Sequence, residues 1–257
     1  ICTVIGKDVD IKKKVNNFAK KIKSKIFIEK DKVTVRKKRF VEEGYNKKLS
    51  EVYYIDDDFL STLNFKKINQ YLNKNLHRFD VVIVIDYGHG LINQEIYKTL
   101  LKKSKFLAIN CQTNSANLGF NLITKYKKCD YVCIDEPELR LASSNNYDEI
   151  IKILKGNLTK KIKCKNFTIT RGRKGSTSYL KSKILHTPAL ISEKVLDTIG
   201  AGDVFLVITS LLYSAKANQL VTNLVGNIAG ALKVDILGHS KSINKSDFHS
   251  ILKHILK

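Results

Sequence analysis

The chain has 257 residues, 43% of them hydrophobic, and carries 46 Lys and Arg against 24 Asp and Glu, a formal net charge of +22. That length and apolar share are enough for one large domain, or a domain with a small lid, around a real core. No apolar run approaches the ~18 to 20 residues that a membrane-spanning helix needs, so no membrane partner is expected.

The charge invites a nucleic-acid reading, but only 6 of the 46 basic residues are Arg and the lysines are spread along the whole length. Lys, Ile and Asn are abundant together, a composition that a low-GC genome produces without functional cause. A base-reading or stacking surface needs Arg and interleaved aromatics, so no nucleic-acid partner is expected. Cys2, Cys111, Cys129, Cys133 and Cys164 are odd in number, scattered and free of any Cys-x-x-Cys pair. They predict buried thiols in a reducing cytoplasm. The chain contains no Met, even at position 1, and its first residues already read as a strand, so it is expected to be a fragment.

In chain order, a strand is predicted at residues 2–5 and a turn at Gly6-Lys7-Asp8. Residues 9–25 follow as a helix, with Val15, Phe18, Ala19 and Ile22 on one face. Residues 33–41 and 49–55 are strand-like, and Gly44-Tyr45-Asn46-Lys47 between them predicts a β-hairpin. A helix is expected over 60–76, with Leu63, Ile68, Leu72 and Leu76 as its buried positions. The β-branched run 81–85 suits a strand buried on both faces of a parallel sheet. Then come a helix at 94–103, strands at 106–110 and 131–134, a helix at 147–155 and a strand at 167–170. A short hairpin at 179–185 and two C-terminal helices after the residue 204–213 helix complete the pattern. Strand and helix alternate, so the fold class is α/β with a largely parallel sheet.

Ligands of such sheets bind beyond the carboxyl ends of the strands, and three polar clusters sit there. Asp86, with Gly88 and Gly90 behind it, can accept bonds from sugar hydroxyls or cap a turn. Asp135-x-x-Glu138 can hold Mg²⁺ through water or start a helix rich in acids. Thr170-Arg171-Gly172, with Gly175, can receive a nucleotide phosphate or form a plain turn. A fourth stretch is Asp197-Thr198-Ile199-Gly200-Ala201-Gly202-Asp203, ahead of an apolar run in which Val204, Val207, Ile208, Leu211 and Leu212 recur at helical spacing. Small residues at a helix start let backbone N–H groups converge on an anion, with Asp203 beside it as a general base. A tight turn with an Asp cap explains the same residues equally well. A P-loop, a Gly-x-Gly-x-x-Gly turn, a Gly-x-Ser-x-Gly elbow and a zinc-type histidine spacing are all absent from the sequence. His89 reads first as a loop residue, although it lies near Asp86.

The seven residues 197–203 with their apolar helix resemble the signature of the ribokinase/PfkB family of sugar kinases. Within it, the chain is most similar to the kinase half of the ADP-heptose synthesis enzymes, through the basic strand 33–41, Asp86-Tyr87-Gly88-His89-Gly90 and the clusters at 135–138 and 170–172. The resemblance implies a ribokinase-like three-layer α/β/α fold with a mostly parallel sheet and a small β lid at 33–55. It implies a single partial kinase domain over 1–257, an ATP and Mg²⁺ requirement, and a small-molecule sugar or sugar-phosphate substrate. It further implies a homodimer and a nucleotidyltransferase domain fused beyond residue 257. By the same resemblance Asp203 is the catalytic base, and Gly200, Ala201 and Gly202 form the anion hole. ATP falls to Asp135, Glu136, Pro137, Glu138, Thr170, Arg171, Gly172, Asn227 and Gly230, and the metal to Asp135 and Glu138. Asp86, Arg39 and Asn110, with Asp203, face the sugar. Three departures stand out: Asp135 replaces the usual Asn, Asn110-Cys111-Gln112 replaces Asp-Pro-Lys, and the Gly-rich sugar segment that the family carries upstream is missing. Two competing readings remain: a sugar- or nucleotide-binding protein on the same fold that has lost catalysis, and a nucleic-acid-binding domain resting on charge alone.

Overall fold

The structure, a computed structural model, describes residues 1–20, 22–42, 48–56, 60–114, 117–190, 195–238 and 240–255. It divides into two compact units, Ile1–Leu76 with Gly88–Lys102, and His77–Tyr87 with Lys103–Lys257.

In the first unit β1 (Cys2–Ile5) pairs in parallel with β2 (Lys25–Ile28), joined by α1 (Val9–Ala19). The helix predicted to run to residue 25 therefore ends six residues early. Ile22 keeps the helical spacing but is exposed, while Ile26 and Phe27 gain more from ladder bonds and burial beside β1. The side chains of Phe18 and Ala19 lie outside the described residues. β3 (Arg36–Val41) and β4 (Lys48–Tyr54) form the expected antiparallel hairpin, whose turn residues Gly44 to Lys47 are also outside them. α2 (Thr62–Asn75) is capped by Ser61 and buries Ile68 and Leu72 as predicted. Leu63 is exposed instead, because buried Asn64 takes its side of the helix, donating to Ile28 O and to Glu29 Oε2. α3 (Gln94–Lys103) falls on the predicted bounds.

The second unit is built on β5 (Val82–Asp86), β6 (Leu107–Cys111), β7 (Tyr131–Asp135), β8 (Asn166–Thr170), β9 (Ser176–Leu180) and β10 (Lys183–Thr187). They form one sheet in the order β10-β9-β8-β7-β6-β5, with β5 to β8 parallel and the last two antiparallel. The register sets Asp86 opposite Cys111 and Asp135 opposite Thr170, so the carboxyl ends of the parallel strands line up. β6 and β7 carry the buried centre, with Ala108, Ile109, Tyr131 and Val132 fully enclosed. β5 is less enclosed than its β-branched run suggests, since Val82, Ile83 and Ile85 keep partial exposure.

Beyond β7, α4 (Glu136–Ser143) starts directly at the acidic cluster. The helix expected at 147–155 is displaced: Tyr147 is 98% exposed, and α5 (Ile150–Ile153) passes through a π turn (Leu154–Leu158) into α6 (Thr159–Lys161). α7 (Ala201–Ser214), α8 (Gln219–Val234) and α9 (Lys245–Ile255) close the chain. α7 packs on β7 and β5, α8 on β9 and β10, and α4 on β7 and β8. The stripe read from Val204, Val207, Ile208, Leu211 and Leu212 is not the buried one. α7 instead buries Phe205, Leu206, Thr209, Ser210 and Tyr213, and leaves Val207 and Leu211 exposed. A helix apolar on every side has no periodicity to mark its inner face.

The turn from β8 to β9 depends on Gly175, whose φ is +82° and whose added Cβ would lie 2.1 Å from Thr187 O. Gly175→Ala combines a left-handed φ with a backbone clash and should lower stability by about 1 to 3 kcal/mol. Chemical denaturation measures it; an unchanged midpoint would contradict this packing.

Candidate active site

Gly200 begins α7 with φ +79° and ψ 0°, a conformation open to glycine at little cost. The turn before it is fixed by Asp197, whose Oδ1 accepts from Ile199 N at 2.9 Å and whose Oδ2 accepts from Gly238 N at 2.9 Å. The sequence shows Asp197 only as the first letter of a motif; in the fold it ties the turn to the segment just after α8. The first N–H groups of α7 have no carbonyl partners within the helix, and Ala201 and Gly202 line a cavity of about 1230 Å³. Asp203 lies in this first turn, as predicted. Its Oδ1 accepts from Gln112 Nε2 at 2.9 Å, and its Oδ2 from Tyr87 OH at 3.4 Å. Burial, then the charge and bond of Asp203, push the Tyr87 hydroxyl up to about 12, so it remains a donor.

The cavity gathers most of the residues expected to meet a nucleotide. Asp135, Glu136, Pro137, Thr170, Arg171 and Gly172 line one part of its wall, and Asn227 and Gly230 of α8 line another. Glu138 sits one turn into α4 behind that wall. Glu136 accepts from Arg171 Nε at 3.1 Å and from Arg140 Nη2 at 2.7 Å. Burial pushes its carboxyl up, but the bonds and charges of the two guanidiniums outweigh that and hold it low. Arg140, Arg173 and Lys174 also line the cavity and were not singled out in the sequence; for Arg173 and Lys174 their place just after β8 was the available signal, whereas Arg140 lies in the last turn of α4. Asn227 is already engaged, its Nδ2 donating to Thr187 O and Pro188 O. A Cβ added at Gly230 or Gly202 would meet nothing within 4 Å. The helix interior thus keeps glycine where the cavity needs room, which fits a flat base or phosphate lying against it.

Asp135 and Glu138 form a reciprocal capping box: Asp135 Oδ1 accepts from Glu138 N at 2.7 Å, and Glu138 Oε2 from Asp135 N at 2.9 Å. The helix-start explanation of this pair is therefore correct as geometry, and it leaves the electrostatic question open. Burial and the Asp135 charge push the Glu138 carboxyl up to about 8, and burial raises Asp135 as well. Two desolvated acids facing other acids are hard oxygen donors short of positive charge, a fit for a divalent cation held directly or through water. Among the described residues, no group of three or more His, Cys, Asp or Glu side chains is placed to hold a metal alone.

On the other side of Asp203, the expected sugar contacts are tightly engaged. Asp86 is 4% exposed, accepts from Tyr126 OH at 2.5 Å and forms an ion pair with Lys125. Asn110 is buried with its Nδ2 on Cys133 O, and its Oδ1 is a buried acceptor with no bonding partner among the described residues. Arg39 belongs to the first unit, where its Nε bonds Glu51 Oε1 at 2.6 Å. All five cysteines are free; Cys111, Cys129 and Cys133 are buried as expected, whereas Cys2 and Cys164 are only partly so. Among the described residues, no helix is long and apolar enough to cross a membrane.

Two outcomes follow from this geometry. Gly230→Leu would fill the open wall and should raise the KM for ATP by about 10-fold or more. Gly230→Ala should leave it nearly unchanged and add about 1 kcal/mol of stability through helix propensity. Steady-state kinetics and thermal unfolding of both variants check this. For Glu138, a folded-state carboxyl raised above its ordinary value contributes stability at low pH that is lost as pH rises through about 8. Glu138→Gln should flatten that decline in metal-free buffer, as unfolding midpoints across the range would reveal.

The chain matches the family model of pfkB family carbohydrate kinases over residues 63–234. It is 22% identical over 248 residues to the bifunctional protein HldE of Pelobacter propionicus, covering 93% of this chain and 49% of that protein. The chain spans about half the length, or less, of the curated relatives it matches. Among solved structures it is similar to phosphofructokinase-2 from Escherichia coli, with a TM-score of 0.78 at 11% identity over 100% of this chain and 82% of that one. It is also similar to ribokinase from Thermotoga maritima, with a TM-score of 0.74 at 20% identity over 98% of this chain and 80% of that one. These likenesses carry the ribokinase-like α/β/α fold expected from the sequence. With the family model spanning more than half of its length, the chain belongs to the pfkB family of carbohydrate kinases.

Proposed function

We propose that this chain transfers the γ-phosphate of ATP to a hydroxyl of a sugar or sugar phosphate, with a heptose phosphate as the leading acceptor. The observation that carries this reading is Asp203, set in the first turn of a helix whose Ala201 and Gly202 open onto the large cavity. A carboxylate in the first turn of a helix, where the dipole favours negative charge, suits a reaction in which a proton leaves a hydroxyl while negative charge develops on phosphate oxygens. The family and the HldE relatives support the choice of acceptor. The name of those relatives, a bifunctional protein, and the share of them that this chain covers support reading it as the kinase portion of a two-function protein.

In this proposal ATP lies in the cavity with its base against Gly230 and Asn227 and its phosphates toward Arg171 and the start of α7. The acceptor hydroxyl attacks the γ-phosphorus in line, the bond from phosphorus to the bridging oxygen breaks, and ADP leaves. Asp203 takes the hydroxyl proton, and the amides at Gly200 to Gly202 hold the charge that builds on the transferred group. Asp135 and Glu138 would hold Mg²⁺, which when bound neutralises phosphate oxygens. Asp86 and Asn110, at the ends of β5 and β6, stay assigned to the sugar side, Asp86 from within its pairing to Lys125 and Tyr126.

Asp203→Asn tests the centre of this reading. It should lower kcat by about 10² to 10⁴ and leave ATP affinity nearly unchanged. A variant turning over sugar phosphate at close to the wild-type rate would remove Asp203 from the chemistry.

A further inference from the structure

Two neighbours among the described residues hold Asp203 unequally. Gln112 Nε2 reaches Oδ1 at 2.9 Å, a full hydrogen bond, whereas Tyr87 OH stands 3.4 Å from Oδ2, at the weak edge of the range. Gln112 is itself anchored at both backbone groups. Its N–H donates to Asp86 O at 2.9 Å, and its carbonyl accepts from Asn121 Nδ2 at 2.9 Å. The same Asn121 amide also donates to Asp86 O at 3.0 Å, and Asn121 Oδ1 accepts from Lys125 Nζ at 2.6 Å. Lys125 in turn pairs with buried Asp86. A half-buried ion pair thus fixes an amide, the amide fixes the chain at Gln112, and the Gln112 side chain reaches Asp203.

We propose that Gln112 is a positioning residue for the general base, holding Asp203 Oδ1 so that Oδ2 is the oxygen that exchanges Tyr87 for the acceptor hydroxyl. This deepens the kinase reading and rests on it. An uncharged donor suits that role, because it fixes the carboxylate's direction without the full charge that would weaken its hold on a proton. Of these two partners the weaker, Tyr87, is the one a substrate displaces more readily, which in this proposal assigns proton transfer to Oδ2.

The test compares Gln112→Ala, Gln112→Glu, Gln112→Asn and Tyr87→Phe with wild type on a panel of sugar phosphates that includes heptose phosphates. Gln112→Glu replaces the donor with a second carboxylate whose like charge faces Asp203, and should lose at least as much kcat as Gln112→Ala, about 10- to 100-fold, the usual scale for a misplaced reacting group. Gln112→Asn, which keeps a donor, should recover part of the loss, and Tyr87→Phe should lose much less. The KM for ATP and the unfolding midpoint should not move with kcat. Wild-type turnover in Gln112→Glu, or a fall in unfolding midpoint that parallels kcat in every variant, would overturn the proposal. If wild type phosphorylates nothing on the panel, the kinase reading fails by itself. Crystal structures of wild type and Gln112→Ala then decide the positioning role, because an Asp203 carboxylate unmoved in the variant rejects it and a turned one supports it.

Discussion

The first turn of α7 can hold a carboxylate at the edge of a cavity only because the rest of that helix is locked by polar bonds inside an apolar core. Tyr131 OH and Thr209 Oγ1 meet at 2.9 Å between the central strand and the helix, and the Tyr131 and Tyr213 rings pack 4.7 Å apart. On its other flank α7 approaches α8 so closely that a Cβ at Gly226 would lie 2.6 Å from Phe205 Cε2. Asn223 of α8 then ties the pair to the sheet edge, donating to Ser178 Oγ at 2.6 Å. Hydrophobic contact alone would let α7 slide along its axis. Directional bonds at these depths cost about 1 to 3 kcal/mol each if left unmade, so they fix its axial position. Asp203 inherits its place from that fixed axis.

The strand register does for the nucleotide side what the helix does for the base. Because β7 and β8 end together, Asp135 and Thr170 come out at one level, and Glu136 stands where Arg140 and Arg171 can share it. The guanidiniums are thereby held at the cavity wall in fixed directions instead of sampling rotamers, which lowers the entropy that an anionic ligand must remove. The neighbouring pair Asp135 and Glu138 is the opposite case. Burial raises both carboxyls, Glu138 to about 8, so a cation bound there would displace the proton that Glu138 keeps at neutral pH. Arg140, Arg171 and the Asp135 end of the acidic pair line the same cavity.

Much of this could be read from the chain. The alternation of elements, the hairpin at β3–β4, α3 and the strand ends at Asp86, Asp135 and Thr170 were legible because each is marked locally, by periodicity or by a polar residue closing an apolar run. The inner face of α7 was not, since a helix apolar all round leaves the choice to its neighbours, and those choose Phe205, Thr209 and Tyr213. β2 goes unmarked in the sequence, with only its first residue inside the helix predicted over 9–25, because a four-residue strand carries little signal until its partner is known. Asp86 looked like an open sugar ligand, because nothing in the sequence brings Tyr126 back from 40 residues away, or Lys125 with it. Gln112 was visible only as a departure from Asp-Pro-Lys, and its contact with Asp203 spans 91 residues.

The chain's formal charge of +22 says little about the site, where sign is distributed with care. The nucleotide side is lined by Arg140, Arg171, Arg173 and Lys174, suited to a polyanion. Beside the base, Lys125 is matched by Asp86, and the side chains that reach Asp203 from the ends of β5 and β6 are the neutral Tyr87 and Gln112. A cation there would strengthen the bond to Asp203 and in the same step lower its affinity for the acceptor's proton. The cationic side chains thus line one part of the cavity wall, while those that reach Asp203 from the ends of β5 and β6 carry no charge.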